Sequence, residues 1–292
     1  RRSAPAVRAR CTGVTVRSGE DSIMREGYRQ KHWTWAPIDI PAGFLLICGW
    51  AEGARVAASG PREKRPARGG KGRCMRYKVL LFDLDGTLTD PRVGITRCVQ
   101  YALARQGVQV DDLARLECFI GPPLKQSFMD FYGFDEAGAA QAVDDYRVRF
   151  GRDGMFENVV YDGMRELLAE LQRSGRQLFV ATSKPWFYAR QIVSHFGLDP
   201  FFCSVYGSEL DGTRTEKHAL IAHILREEKL AASDTLMIGD RSFDLVGARH
   251  NGVAGAAVGY GYGSEAELRA ESPDYFFPTL QVMHETLVAC RA

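Results

Sequence analysis

The sequence predicts an α/β protein: a Rossmann-like parallel sheet core carrying an inserted all-helical domain. Three observations lead there. From Met75 onward, short β-branched or apolar runs alternate with helical patterns. Between the first two such runs, residues 92 to 174 keep a helical period with no strand pattern inside them. Finally, the residues just after the apolar runs are polar in a specific way, as expected where a parallel sheet presents its carboxyl ends to a ligand.

The first strand is expected at Lys78 to Leu84, within KVLLFDLDGTLTD, where an apolar run ends in two carboxylates one residue apart. Ile95, Cys98, Val99, Ala102 and Leu103 then form one helical stripe, and Met164, Leu167, Leu168 and Leu171 form another. A parallel crossover needs only one helix, so the extra helical sequence reads as an insertion with edges near Pro91 and Tyr161. The core is thus assigned to 75–90 and 162–292, and the helical domain to 91–161. A helix from Asp162 to Ser174 leads into the second strand, Gln177 to Thr182. Further strands are expected at Cys203 to Tyr206, Thr235 to Gly239 and Gly255 to Val258.

The 292 residues are 45% hydrophobic, and no apolar stretch approaches the eighteen or more that a membrane span needs. Seven cysteines, an odd number with no CxxC pair and no Cys/His cluster, suit reduced thiols in a cytoplasmic protein. The net charge of +2 hides an asymmetry: residues 1–74 hold 15 basic and 6 acidic residues, the remainder 23 and 30. That basic leader has no sustained apolar period and is expected to be disordered. A nucleic-acid-binding arm and a transit peptide are alternatives. The favoured expectation is sequence lying upstream of a true start at Met75, since acids at 20, 21, 26, 39, 52 and 63 weaken the transit peptide and no aromatic-and-basic alternation supports RNA binding. Neither a nucleic-acid nor a membrane partner is expected.

Along an extended strand, residues i and i+2 point to one side, so Asp83 and Asp85 can reach one small volume. Their repulsion is relieved by a divalent cation, and Asp240, after the strand at Thr235 to Gly239, offers a third hard oxygen of the kind Mg²⁺ prefers. Thr182 and Ser183 are expected at a helix start with Pro185 in its first turn, where free N–H groups receive phosphate. The run Thr213, Arg214, Thr215, Glu216 reads as a capping box that places Lys217 in a helix's first turn. A cation there opposes the helix dipole unless an anion faces it. Each residue alone is commonplace; their joint occurrence, in order and all at strand ends, is not.

These motifs resemble the haloacid dehalogenase-like hydrolases, and within them the phosphoglycolate phosphatase-like branch with a helical cap. FDLDGTL, ATSKP, Lys217 and GDRSFD look like the family's four motifs, and the resemblance covers essentially 75 to 292. FIGPPL, GSELDGTRTEK and VGYGYGS also resemble a bacterial subgroup labelled either phosphoglycolate phosphatase or 5′-nucleotidase. The resemblance implies a Mg²⁺-dependent phosphatase of small phosphorylated metabolites, monomeric or homodimeric. Asp83 would become an aspartyl-phosphate, and Asp85 would protonate the leaving oxygen and then activate water. Thr182 and Lys217 would hold the transferring oxygens. Mg²⁺ would sit on Asp83, the Asp85 carbonyl and Asp240, with Asp244 behind or through water. Gly86 and Ser183 are further expected phosphate contacts, and Lys125, alone among lysines of the helical insertion, is expected to meet a second anionic group of the substrate. Relatives that cleave carbon–halogen or carbon–phosphorus bonds lack the second aspartate, which is present here. A sugar phosphomutase, or a phosphate- or protein-binding module without catalysis, are the alternatives.

Overall fold

A computed structural model of the chain describes residues 77–289. The expectations for residues 1–74, and the start at Met75, lie outside the described residues. Among the described residues no helix is long and apolar enough to cross a membrane.

Six parallel strands form the main sheet: β1 (Val79–Phe82), β4 (Gln177–Pro185), β5 (Ser204–Ser208), β6 (Thr235–Gly239), β7 (Ala254–Val258) and β8 (Tyr275–Phe277). Their order is β5-β4-β1-β6-β7-β8. The chain therefore builds outward from β1 on one side, crosses over, and builds outward on the other. Leu80 sits opposite both Leu178 and Leu236, and all four residues of β1 are buried. A strand buried on both faces must be apolar throughout, which is why VLLF carries no alternation. The order of strands reverses at β1, so the crevice beyond its carboxyl end is the topological switch point.

Between β1 and β4 run α1 (Arg92–Arg105), a 3₁₀ turn at Leu113–Phe119, α2 (Leu124–Tyr132), α3 (Glu136–Arg149) and a wide turn at Phe150–Gly154. The stripe read on α1 is buried in full: Ile95, Cys98, Val99, Ala102 and Leu103. The second stripe is buried on α4 (Met164–Arg173). Gly133 closes α2 in the left-handed conformation, φ 68°, as a helix C-terminus favours.

The structure corrects the reading of the strands in two places. A two-residue strand, β2 (Thr89–Asp90), pairs antiparallel with β3 (Val159–Val160), and β3 lies inside the stretch 92–174 read as free of strands. Two residues carry no period, so no pattern could announce them. The ribbon lies where the chain leaves and re-enters the sheet, at the edges read near Pro91 and Tyr161. The sixth strand, β8, was also unread; YFF is too short to show an alternation, and it sits on the sheet's edge beside β7.

Candidate active site

The loop after β1 folds back tightly. The Gly86 N–H donates to the Thr89 carbonyl at 2.8 Å, and the Leu88 and Thr89 N–H groups both donate to the Leu84 carbonyl. Gly86 has φ 77°, a conformation that favours glycine. The turn leaves Asp83 and Asp85 on one cavity, as their i, i+2 spacing requires, but with different partners. Asp83 Oδ1 lies 3.1 Å from Lys217 Nζ, and Asp85 Oδ2 lies 2.7 Å from Lys184 Nζ. Burial raises the pKa of the Asp85 carboxyl above its ordinary value, with Lys184 opposing.

Asp240 follows β6 and is buried. Its Oδ2 accepts the Tyr262 N–H at 2.8 Å, and its Oδ1 accepts the Thr87 hydroxyl at 3.3 Å. A Cβ on Gly86 would lie 2.6 Å from Asp240 Cγ and 2.9 Å from Oδ1, and one on Gly261 would overlap the same side chain. Asp240 thus occupies a slot that two glycines leave open. Asp244, in the first turn of α7 (Ser242–His250), accepts the Arg241 N–H at 3.2 Å and meets Lys217 Nζ at 2.7 Å.

Asp83, Asp240 and Asp244 each offer a carboxylate oxygen within 4.8 Å of the others, all buried. Burial, and then the charges of Asp83 and Asp244, push the Asp240 carboxyl well above the usual carboxylate range. Burial pushes Asp244 up to about 6, with Lys217 opposing and Asp83 adding. Among the described residues only one ammonium, that of Lys217, touches this trio. Lys217 opens α6 (Lys217–Glu227), is buried, and donates to the Ala181 carbonyl at 2.8 Å. Burial pulls its pKa down, but Asp244 and Asp83 outweigh that and hold it above the ordinary lysine value. These two anions resolve the cation at a helix N-terminus. The trio is left with excess negative charge in hard oxygen donors, which fits a divalent cation.

Thr182 and Ser183 reach the same cavity, though not from a helix start. β4 stays extended through Pro185, with a register shift against β5 between Ala181 and Pro185, and α5 (Trp186–His195) begins only afterwards. The Thr182 hydroxyl accepts the Lys184 N–H at 3.2 Å, which pins this turn of chain. Nor does the expected capping box form before Lys217: Glu216 caps α6 by its backbone alone, and the Thr215 hydroxyl turns to the Gly212 carbonyl at 2.7 Å. The Gly86 N–H is engaged by the Thr89 carbonyl, and the missing Cβ leaves room for the Asp240 carboxylate.

The cavity has a volume of about 300 Å³. Its floor is Asp83, Asp85, Thr182, Ser183, Lys184 and Lys217, and much of its wall is apolar, with Phe119, Tyr146, Phe150, Tyr188 and Phe243. Lys125 stands on that wall after the Gly121-Pro122-Pro123-Leu124 turn, half exposed and 3.5 Å from Glu136. Arg241 ties this turn to the loop of Asp240: its Nη1 donates to the Ile120 carbonyl at 2.6 Å and its Nε to Glu267 at 3.1 Å. Arg147 makes a second tie, to the Leu210 carbonyl at 3.0 Å. The sequence reading missed Lys184, Arg241 and the aromatic wall. The period of two from Thr182 could have found Lys184; nothing local marks Arg241 or the rings.

The switch-point loops of this parallel sheet thus gather two cavity-facing aspartates, a buried lysine and a three-carboxylate cluster. The profile of the haloacid dehalogenase-like hydrolases matches residues 80–258, and the chain belongs to that family. It is 59% identical over 213 residues to a 5′-nucleotidase of Pseudomonas aeruginosa, across 73% of this chain and 96% of that one. It is 37% identical over 186 residues to the tyrosine-protein kinase PtkA of Mycobacterium tuberculosis, across 64% of this chain, and spans 63% of that protein's length. The crystal structure of a predicted phosphatase from Clostridium acetobutylicum matches with a TM-score of 0.71 and 43% identity, covering 74% of this chain and all of that one.

Proposed function

We propose that this phosphatase hydrolyses small phosphomonoesters, of the nucleoside 5′-monophosphate or phosphoglycolate kind, through an aspartyl-phosphate on Asp83. The observation that carries this reading is the pair of carboxylates on one cavity floor, each beside its own ammonium: Asp83 with Lys217, Asp85 with Lys184. Asp83 attacks phosphorus, and the bond to the leaving oxygen breaks as the new one forms. Asp85, raised by burial, delivers a proton to that oxygen and then takes one from the water that cleaves the aspartyl-phosphate. Thr182, Ser183 and Lys217 hold the transferring oxygens. Asp83, Asp240 and Asp244, with the Asp85 carbonyl, would hold Mg²⁺, which when bound offsets the charge of the carboxylates and of the phosphoryl group. Residues 91–161 act as a cap: Phe119, Tyr146 and Phe150 keep water from the floor, and Lys125 meets a distal anionic group.

Phosphate release across a panel of metabolites, with Mg²⁺ and with EDTA, tests the reading. Release that requires Mg²⁺ is expected. Equal release in EDTA would remove the metal, and no release from any ester would remove the phosphatase. The two aspartates are separated by Asp85→Asn. On alkyl esters it should cost on the order of 10²- to 10⁴-fold, the usual range for a general acid, and far less on p-nitrophenyl phosphate, whose leaving group hardly needs a proton. Equal losses on both esters would show that Asp85 does not act on the leaving oxygen.

A further inference from the structure

Lys184 has no part in the chemistry above beyond standing next to Asp85. Its side chain is 9% exposed and lines the cavity. Its Nζ lies 2.7 Å from Asp85 Oδ2 and 4.6 Å from the centre of the Phe150 ring. Neither neighbour gives it a well-directed hydrogen bond, and among the described residues it is the one buried ammonium without any. Lys217 differs, since the Ala181 carbonyl accepts from it at 2.8 Å while Asp83 and Asp244 pair with it. An ammonium has three donors; one carboxylate oxygen and one ring face leave at least one over, on a cavity wall. A buried donor left over is costly, so the site gains wherever a ligand supplies an acceptor.

We propose, on the strength of the phosphatase reading, that Lys184 binds the leaving group of the substrate. It thereby selects esters whose alcohol carries a hydroxyl, ether or carboxylate oxygen on the carbon next to the ester carbon. Asp85 serves the bridging oxygen, and two groups bonded to one carboxylate stand roughly 4 to 5 Å apart. Nζ therefore reaches an oxygen placed one carbon beyond the ester carbon, while the transferring oxygens fall to Lys217 and Thr182 nearer Asp83. Phe150 comes from the helical insertion and covers the ammonium. That desolvation strengthens its bond to an acceptor and disfavours a substrate that offers none.

The test compares ethyl phosphate with 2-hydroxyethyl phosphate and phosphoglycolate. All three leaving groups are alcohols that need a proton, so any change in Asp85 cancels in the ratio of kcat/KM values. The full chain should prefer the oxygenated esters, and Lys184→Met should lower that preference roughly 10- to 100-fold, as expected for a hydrogen bond from a charged donor. Lys184→Arg, which keeps a charged donor, should retain part of it and covers the case in which the Met variant does not fold. An unchanged ratio in either variant, or no preference in the parent chain, overturns the proposal while leaving the phosphatase in place. Hydrolysis of none of these esters, nor of any other phosphomonoester, would instead sink the phosphatase reading and this one with it.

Discussion

Asp83→Asn is expected to slow phosphate release at least 100-fold at saturating substrate, with the fold intact. A neutral amide cannot form the acyl phosphate, and 100-fold corresponds to about 2.7 kcal/mol of barrier. The variant is a clean one because the amide keeps the shape of the side chain and its backbone N–H still bonds the Ile238 carbonyl at 2.9 Å. Electrostatics also favour folding. Asp83 raises the pKa of both Asp240 and Asp244, so removing its charge relieves repulsion within the trio, although Lys217 then keeps one anionic partner fewer. The melting temperature should therefore stay within a few degrees of the parent. A variant that keeps more than about a hundredth of the parent turnover would show that phosphorus is attacked by something other than Asp83.

Much of this was legible because parallel strands buried on both faces leave runs such as VLLF and TLMIG, and because their ends are where polar residues gather. The order of Asp83, Thr182, Lys217 and Asp240 along the chain is the order in which strands and crossovers reach the switch point, so the succession of strand ends nearly names the residues that gather there. What stayed illegible has physical reasons. A two-residue ribbon has no period, and the Thr213-to-Glu216 run does not form a capping box because α6 opens only at Lys217, with Glu216 itself as its N-cap residue. Asp244 taken alone looks like a solvated helix residue, yet it is buried because Lys217, 27 positions earlier, arrives from another crossover. Lys125 draws notice as the insertion's only lysine, whereas the lysine in contact with Asp85 is Lys184, inside the ATSKP motif. Contacts between distant segments depend on where rigid elements meet, and a single sequence does not state that.

Gly86→Ala should be nearly as damaging as loss of the nucleophile. Two costs add. An alanine at φ 77° sits in the left-handed region, at about 1 to 2 kcal/mol, and its Cβ would press into the Asp240 carboxylate, 2.6 Å from Cγ and 2.9 Å from Oδ1. Asp240 cannot retreat easily, since Gly261 and Gly263 already pack closely against it and the Tyr262 N–H fixes its Oδ2. The carboxylate must turn away from Asp83 and Asp244, and the trio comes apart. Turnover should fall by roughly two orders of magnitude or more, the same 2.7 kcal/mol or so of barrier as for the nucleophile. The Mg²⁺ concentration needed for half-maximal activity should rise about tenfold or more, about 1.4 kcal/mol of lost binding, with a fall of several degrees in melting temperature. Gly107→Ala separates the two costs. Gly107 has φ 78°, almost the same backbone strain, but a Cβ there meets nothing within 4 Å. It should lower the melting temperature by about 2 to 8 °C for that 1 to 2 kcal/mol and leave turnover and Mg²⁺ dependence unchanged. If both alanines reduced activity alike, backbone strain would be the cause and the slot around Asp240 would not matter. If Gly86→Ala kept its Mg²⁺ dependence while losing stability, Asp240 would have no part in holding the metal.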